Sequence, residues 1–358
     1  MSNTSTDSVL AAAEEFDSKG NHDEAVNVLA RATQQGDQVA KTVLGKRLLV
    51  GDRAPYLPKE GAEFILEAAQ KGVSDAVAMV AVFQSIGIYQ QKNWLQALKT
   101  LAYAAAIGSR PAREQLVLLA KAGDPDKDED LVASTGTDFW MEYHARINLQ
   151  EWFDPGEGMV LCEDPLIKSF QDFLPGPVCR RLIRLSSRRL KPALVYNAEN
   201  KQNYKSTTRT NSIAEFNLVE NDLINFLMQE RMSAACRVPM VQMEGTAILN
   251  YQPGQEISDH FDFVDPDLPD YQQEIRENGQ RIITFLIYLN DEYSNGETVF
   301  PKLGISHKGR TGEGLFFTNA LANGESDLRA LHAGTPPQNG EKWIVSQFIR
   351  NREVKYIL

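Results

Sequence analysis

The run YQPGQEISDHFDFVDPD, residues 251–267, sets His260 and Asp262 two positions apart in a strand-prone stretch. Side chains alternate along a strand, so these two would leave one face while Phe261 leaves the other. An imidazole and a carboxylate on one face can bind the same metal ion. Spacing alone does not separate that reading from a hydrogen-bonded surface pair, which is the commoner occurrence of such a dipeptide spacing. A two-histidine, one-carboxylate set on Fe(II) would need a second imidazole and would leave three coordination positions open for co-substrate and oxygen. The chain has five histidines. His22 and His144 fall in helix-patterned sequence, and His307 sits in the loop-like LGISHKGRTGEG. His332 closes the strand-like run 328–332 and is the best third ligand.

The elements that must position these residues are read from periodicity. Short β-prone runs cover 246–251, 281–289, 314–318, 328–332 and 343–350, after helix patterns over 176–190 and 220–236. Helices followed by a series of strands point to a β-sandwich or jelly roll with helices supporting one face. The turn PPQNG, residues 336–340, reverses the chain so that His332 and Lys342 can face one interior from opposite strands. The acidic stretch VDPDLPDYQQEIREN, residues 264–278, carries two prolines and reads as a long loop, either a lid or a solvated insert.

The first third of the chain is different. Gly36, Gly72 and Gly108 repeat at a period of 36, as do Gly51, Gly87 and Gly123, with Ala32, Ala68 and Ala104 and then Ala40, Ala76 and Ala112 in step. Small residues at fixed offsets allow close helix approach, and glycines stand where helices end. Each unit reads as a helical hairpin, and the pattern resembles Sel1-like, tetratricopeptide-type repeats. That resemblance implies a surface for a peptide or protein partner; a purely stabilising or dimerising appendage is the alternative. The acidic, Ser- and Thr-rich segment after Gly123 reads as a linker leading to one further helix near 139–153. The expected division is therefore 1–123 repeats, 124–158 linker and helix, and 159–358 as a second domain.

Composition narrows the function classes. A net charge of −11, with a sequence pI of about 5.1, argues against a chain built to neutralise nucleic-acid phosphates. The longest clean apolar run, near 282–289, is far too short to span a bilayer, and the N-terminal stretch lacks a basic leader pattern. Neither a nucleic-acid nor a membrane partner is expected. Three widely spaced cysteines, Cys162, Cys179 and Cys236, without a CxxC fit a reducing compartment, with cytoplasm the natural location.

Residues 165–349 resemble the prolyl 4-hydroxylase group of 2-oxoglutarate-dependent Fe(II) dioxygenases at many points in the same order. The matching segments are DFLPGPVCRRLIRLS, RTNS, YQPGQEISDHFDF, NGQRIITFLIYLND, GETVFP and LHAGTPPQNGEKW. The resemblance implies an α+β chain in which the helical repeats precede a double-stranded β-helix, or jelly roll, with supporting helices. It implies His260, Asp262 and His332 as iron ligands, and Lys342 as the cation for the distal carboxylate of 2-oxoglutarate. Tyr251 and Thr298 would hydrogen-bond the same carboxylate, and Glu244 and Arg281 would line the substrate cleft. Asp327 is a further residue placed to orient a ligand. The implied co-substrates are 2-oxoglutarate and O2, with ascorbate as an accessory reductant, and the implied products are succinate, CO2 and a hydroxylated target. Asp262 favours hydroxylation over halogenation, because Ala or Gly there would leave room for a halide.

Three positions depart from the peptidyl-proline members of that group. Ile257 stands where an aromatic is frequent, Phe348 where Trp is, and Arg350 where His is. The expected activity is hydroxylation of peptidyl proline in a protein target docked with help from the repeats. The alternatives are hydroxylation of a free amino acid or small metabolite, and a non-enzymatic scaffold whose dioxygenase domain is retired.

Overall fold

A computed structural model of the chain describes residues 5–134, 136–197, 202–204 and 208–354. These form two compact units: one from the described residues up to Asn148 together with 217–226, the other from 149–216 and from 227 onward. Among the described residues no helix is long and apolar enough to cross a membrane.

The first unit opens with antiparallel helices Thr6–Ser18, His22–Gln34, Gln38–Val50, Pro58–Gln70, Ser74–Ile86, Trp94–Ala106 and Arg110–Leu119. Their spacing follows the glycine period. Gly36, Gly72 and Gly108 all take positive φ, the left-handed conformation that lets a helix stop without a Cβ clash. The alanines of the repeat are buried, with Ala40, Ala76 and Ala112 at 0% exposure, so one methyl is what the helix crossings admit. Gly61 marks the tightest approach: a Cβ there would lie 2.6 Å from Gly45 O and Leu49 N. Helix starts are fixed locally, as where Asp37 accepts the backbone N–H groups of Val39 and Ala40. The single helix expected near 139–153 is instead two, Thr137–Ala145 and Leu149–Phe153.

The second unit is built on two main β-sheets, the jelly-roll architecture expected from the strand pattern, with two further two-stranded pairs beside them. The larger sheet has eight strands in the order Met159–Glu163, Leu166–Phe170, Gly314–Thr318, Arg281–Tyr288, Lys342–Arg350, Ala247–Tyr251, Ser212–Glu215 and Lys191–Pro192. The smaller has four: Ile305–His307, Thr298–Phe300, His332–Gly334 and Ile257–His260. Period-two alternation sends Leu249, Tyr251, Leu286, Tyr288, Leu315, Phe317 and Ile344 of the larger sheet into one cluster with Phe300 of the smaller. Each such large side chain fully removed from water contributes roughly 1.5–3 kcal/mol. The opposite face of the larger sheet carries an aromatic group in which the Phe173 and Phe285 ring centres lie 4.9 Å apart. Helix Gly176–Ser187 buries Val178, Cys179 and Leu182.

Three local expectations differ from the structure. Residues 328–332 are not a strand. Asp327 accepts the Arg329 backbone N–H and starts a 3-10 turn, Leu328–Ala330, and a strand begins only at His332. The strand carrying His260 ends at that residue, so Asp262 lies past its end rather than on its ladder. The stretch 264–278 is not loop throughout, because Pro269 occupies the first turn of helix Pro269–Asn278, where a missing N–H costs nothing. Gly279, at φ 79°, ends that helix.

Candidate metal centre and cosubstrate pocket

His260 and His332 face each other as direct partners on adjacent antiparallel strands. Each ring is fixed the same way: Nδ1 of His260 donates to Ser258 O at 2.9 Å, and Nδ1 of His332 donates to Ala330 O at 2.9 Å. A carbonyl only accepts, so Nδ1 of each ring carries a proton and Nε2 is the nitrogen turned toward the centre of the site. Asp262 meets them, with Oδ1 3.4 Å from His260 Nε2 and Oδ2 3.2 Å from His332 Nε2. One donor atom from each of the three lies within 4.8 Å of the other two. Burial alone would raise the Asp262 carboxyl, but the neighbouring His332 and His260 hold it well below the usual carboxylate range. His332 moves the other way: burial opposes its charged form, and Asp262 outweighs burial and raises it. Two imidazoles whose Nε2 atoms face one carboxylate, each ring held by a carbonyl outside the cluster, fit a divalent first-row metal.

Lys342 opens the strand Lys342–Arg350 and pairs across the ladder with Tyr251. It is 1% exposed. Its ammonium donates to Gly296 O at 2.7 Å and lies 5.5 Å from the ring centres of both Tyr251 and Tyr288. Among the described residues it forms no ion pair, and burial pushes it down to about 8. A buried cation whose partners are one carbonyl and two aromatic faces is matched to an incoming carboxylate. Thr298, 3% exposed, shares a 2.8 Å hydrogen bond with the Tyr288 hydroxyl. These groups border one cavity of about 530 Å³ that reaches from Lys342, Thr298 and Tyr251 to His260, Asp262 and His332.

Glu244 and Arg281 line the same cavity, but they engage each other first. Arg281 donates to both Glu244 oxygens at 2.7 and 2.9 Å, and Arg350 adds a third bond at 2.6 Å. The Arg281 guanidinium stacks 3.9 Å from the Phe348 ring centre. Burial would raise Glu244, and the two guanidinium groups lower it. Arg350, which is 0% exposed, also reaches Glu274 on the helix Pro269–Asn278. That helix borders a second cavity of about 700 Å³, which shares Phe261, Asp262 and Arg281 with the first. Ile257 also borders the first cavity, so all three positions that depart from the peptidyl-proline pattern belong to its wall or brace it.

Asp327 does not touch His332. Its carboxylate binds the Arg329 side chain and caps the turn, so it shapes the segment that delivers the imidazole. Sequence reasoning missed Thr284, whose hydroxyl lies 2.8 Å from Asp262 Oδ2, and Asn319, whose amide donates to that hydroxyl at 2.9 Å. The trace they leave in sequence is a threonine at an inward position of the run RIITFLIY, which is otherwise apolar after Arg281.

A family profile described as the 2OG-Fe(II) oxygenase superfamily matches residues 246–350. Probable prolyl 4-hydroxylase 9 of Arabidopsis thaliana is 30% identical over 213 residues, covering 54% of this chain and 72% of that protein. Probable prolyl 4-hydroxylase 7 of the same plant is 28% identical over 215 residues, covering 55% of this chain and 66% of that protein. Among solved structures, the viral collagen prolyl hydroxylase of Paramecium Bursaria Chlorella virus-1, in its 2OG complex, aligns with a TM-score of 0.41 and 23% identity. That alignment covers 53% of this chain and 98% of the viral one.

Proposed function

The chain belongs to the prolyl 4-hydroxylase group of the 2OG-Fe(II) oxygenase superfamily, and from that premise we propose that it hydroxylates peptidyl proline in a protein target. Its domain is a 2-oxoglutarate-dependent dioxygenase domain using Fe(II), 2-oxoglutarate and O2. In this reading His260, Asp262 and His332 hold the iron, and succinate and CO2 leave with each hydroxylation. Fe(II), when bound, supplies the activation of O2 that couples decarboxylation of 2-oxoglutarate to oxygen insertion into a C–H bond.

The chain's own residues do the rest. Lys342 neutralises the far carboxylate of 2-oxoglutarate, and Thr298 and Tyr251 stand beside it to fix its direction. The apolar walls from Ile257, Leu286 and Ile344 exclude water around that contact. Glu244 and Arg281 form the wall against which the target lies, their pairing keeping that wall close to neutral.

The observation that carries the proposal is the meeting of three metal donors and an ion-unpaired buried lysine in one cavity. Residues 159–358 would be the catalytic domain, 1–123 the docking array and 124–158 the connection between them. Three free cysteines, none in a disulfide, support a reducing, cytoplasmic setting, where ascorbate can restore iron to the ferrous state. A second reading, a free amino acid or small metabolite as substrate, draws on Phe348 and Arg350, which replace the residues frequent in peptidyl-proline enzymes. The test is mass spectrometry of lysate proteins after incubation with enzyme, Fe(II), ascorbate and 2-oxoglutarate. Gain of one oxygen atom on proline of a discrete protein is expected. Succinate release driven by an amino acid, with no protein modified, would overturn the peptidyl reading.

A further inference from the structure

We propose that Thr284 and Asn319 are positioning residues for Asp262, engaging its Oδ2 so that Oδ1 is the oxygen presented to the metal; this rests on the iron reading above. Asp262 needs such support because it lies past the end of strand Ile257–His260, where no ladder hydrogen bonds fix it. Two residues further on, Gln280 clamps Val264, accepting its N–H and donating to its carbonyl, each at 2.7 Å. That clamp holds the backbone. The rotation of the carboxylate is left to Thr284.

Thr284 lies on strand Arg281–Tyr288, is 1% exposed, and faces the interior with Leu286 and Tyr288. A carboxylate lacking its proton only accepts, so the hydroxyl donates its single hydrogen to Oδ2 across 2.8 Å. Asn319 Nδ2 supplies the complementary donor to the same hydroxyl oxygen at 2.9 Å. With that hydrogen committed, only the amide orientation that turns nitrogen toward Thr284 satisfies both bonds. The direction Asn319 to Thr284 to Asp262 is therefore fixed by proton count.

Asn319 is itself immobilised at 0% exposure. Its N–H donates to Ile282 O at 2.8 Å, and its carbonyl accepts the Asp327 N–H at 2.9 Å. Asp327 starts the turn that leads into His332. One buried residue thus ties the strand that orients Asp262 to the segment that delivers His332. The chemical consequence is coordination number. A carboxylate free to rotate can offer both oxygens and take up a position otherwise left for co-substrate or oxygen, whereas an oxygen already accepting a hydrogen bond is a poorer ligand.

The test uses the full-length protein and Co(II) as probe, following affinity by calorimetry and ligand geometry by visible absorption. Thr284→Val is expected to weaken Co(II) binding about 10- to 100-fold and to alter the Co(II) spectrum. Thr284→Ser, which keeps the hydroxyl, restores both. Because the two residues act in series, Thr284→Val combined with Asn319→Leu should bind no worse than Thr284→Val alone. Thermal unfolding of the metal-free variants separates loss of fold from loss of orientation. Wild-type affinity and spectrum in a folded Thr284→Val protein, or a Ser variant as weak as the Val one, would overturn the proposal and leave the iron reading standing. Failure of the wild type to bind Co(II) would overturn both.

Discussion

The Asp17 carboxylate in the helical array, its side chain 4% exposed, and the buried Lys342 in the β-sheet unit are both charges shielded from water, and they are treated in opposite ways. Asp17 is closed within the protein: Arg47 lies 2.5 Å and His22 3.0 Å from its carboxylate. Lys342 has no carboxylate partner among the described residues and only the Gly296 carbonyl as acceptor. Burying a charge is costly unless it is paired, so the second arrangement leaves a place that an incoming carboxylate can complete. The contrast separates a charge paired between helices from one left without a carboxylate, as the proposed 2-oxoglutarate contact requires. The same division runs through the interiors. The array is filled largely by Ala and Leu, while the β-sheet unit buries Asp262, His332, Lys342 and Arg350.

Substitutions at the two charges should therefore have opposite signs. Lys342→Ala should weaken 2-oxoglutarate binding by about 3–5 kcal/mol, because it strands a buried carboxylate. Lys342→Met should meanwhile raise the melting temperature of the metal-free protein, as it removes an unpaired buried cation. A Met variant that melts lower would break the comparison. Asp17→Ala, in contrast, should leave 2-oxoglutarate affinity alone and cost about 1.5–3 kcal/mol of stability, read from denaturant unfolding.

The pH dependence sharpens the point. In the proposed contact the charged form of Lys342 is the one that would bind, and burial brings it down to about 8 from an ordinary 10.5. Affinity of the free protein for 2-oxoglutarate should hold below that pH and fall as pH rises through it, by about tenfold per unit once past it. Lys342→Arg, which stays charged, should flatten the profile; a wild-type profile flat to pH 10 would contradict the assignment. The smallest effect expected is that of Thr298→Val, about 1 kcal/mol in 2-oxoglutarate affinity, since one neutral hydrogen bond is lost.

What was legible in sequence follows from how local the cause is. The glycine period exposed the helical hairpins, because each glycine answers to a turn of its own. The strand pattern was readable because alternation is a property of short runs, whereas His260, Asp262, His332 and Lys342 were singled out by ordered resemblance to a known family and not by spacing. Proline misled the reading of 264–278, since the same residue that breaks a helix also starts one. The 3-10 turn before His332 depends on a cap at Asp327, hidden in a run that alternates like a strand. Thr284 and Asn319 reach Asp262 from 22 and 35 residues apart in the two links of their relay, and no local pattern announces contacts that only the folded sheet creates. Glu244 and Arg281 were placed at the cavity, but their tie to Arg350 was equally nonlocal.

In the proposed site one cavity holds both the metal and the 2-oxoglutarate that is consumed there. This is tested by measuring Fe(II)-dependent conversion of 2-oxoglutarate to succinate in wild-type protein and in His260→Ala. Succinate is expected from the wild type and none above background from the variant, with both proteins folded. Equal succinate from the two would contradict it.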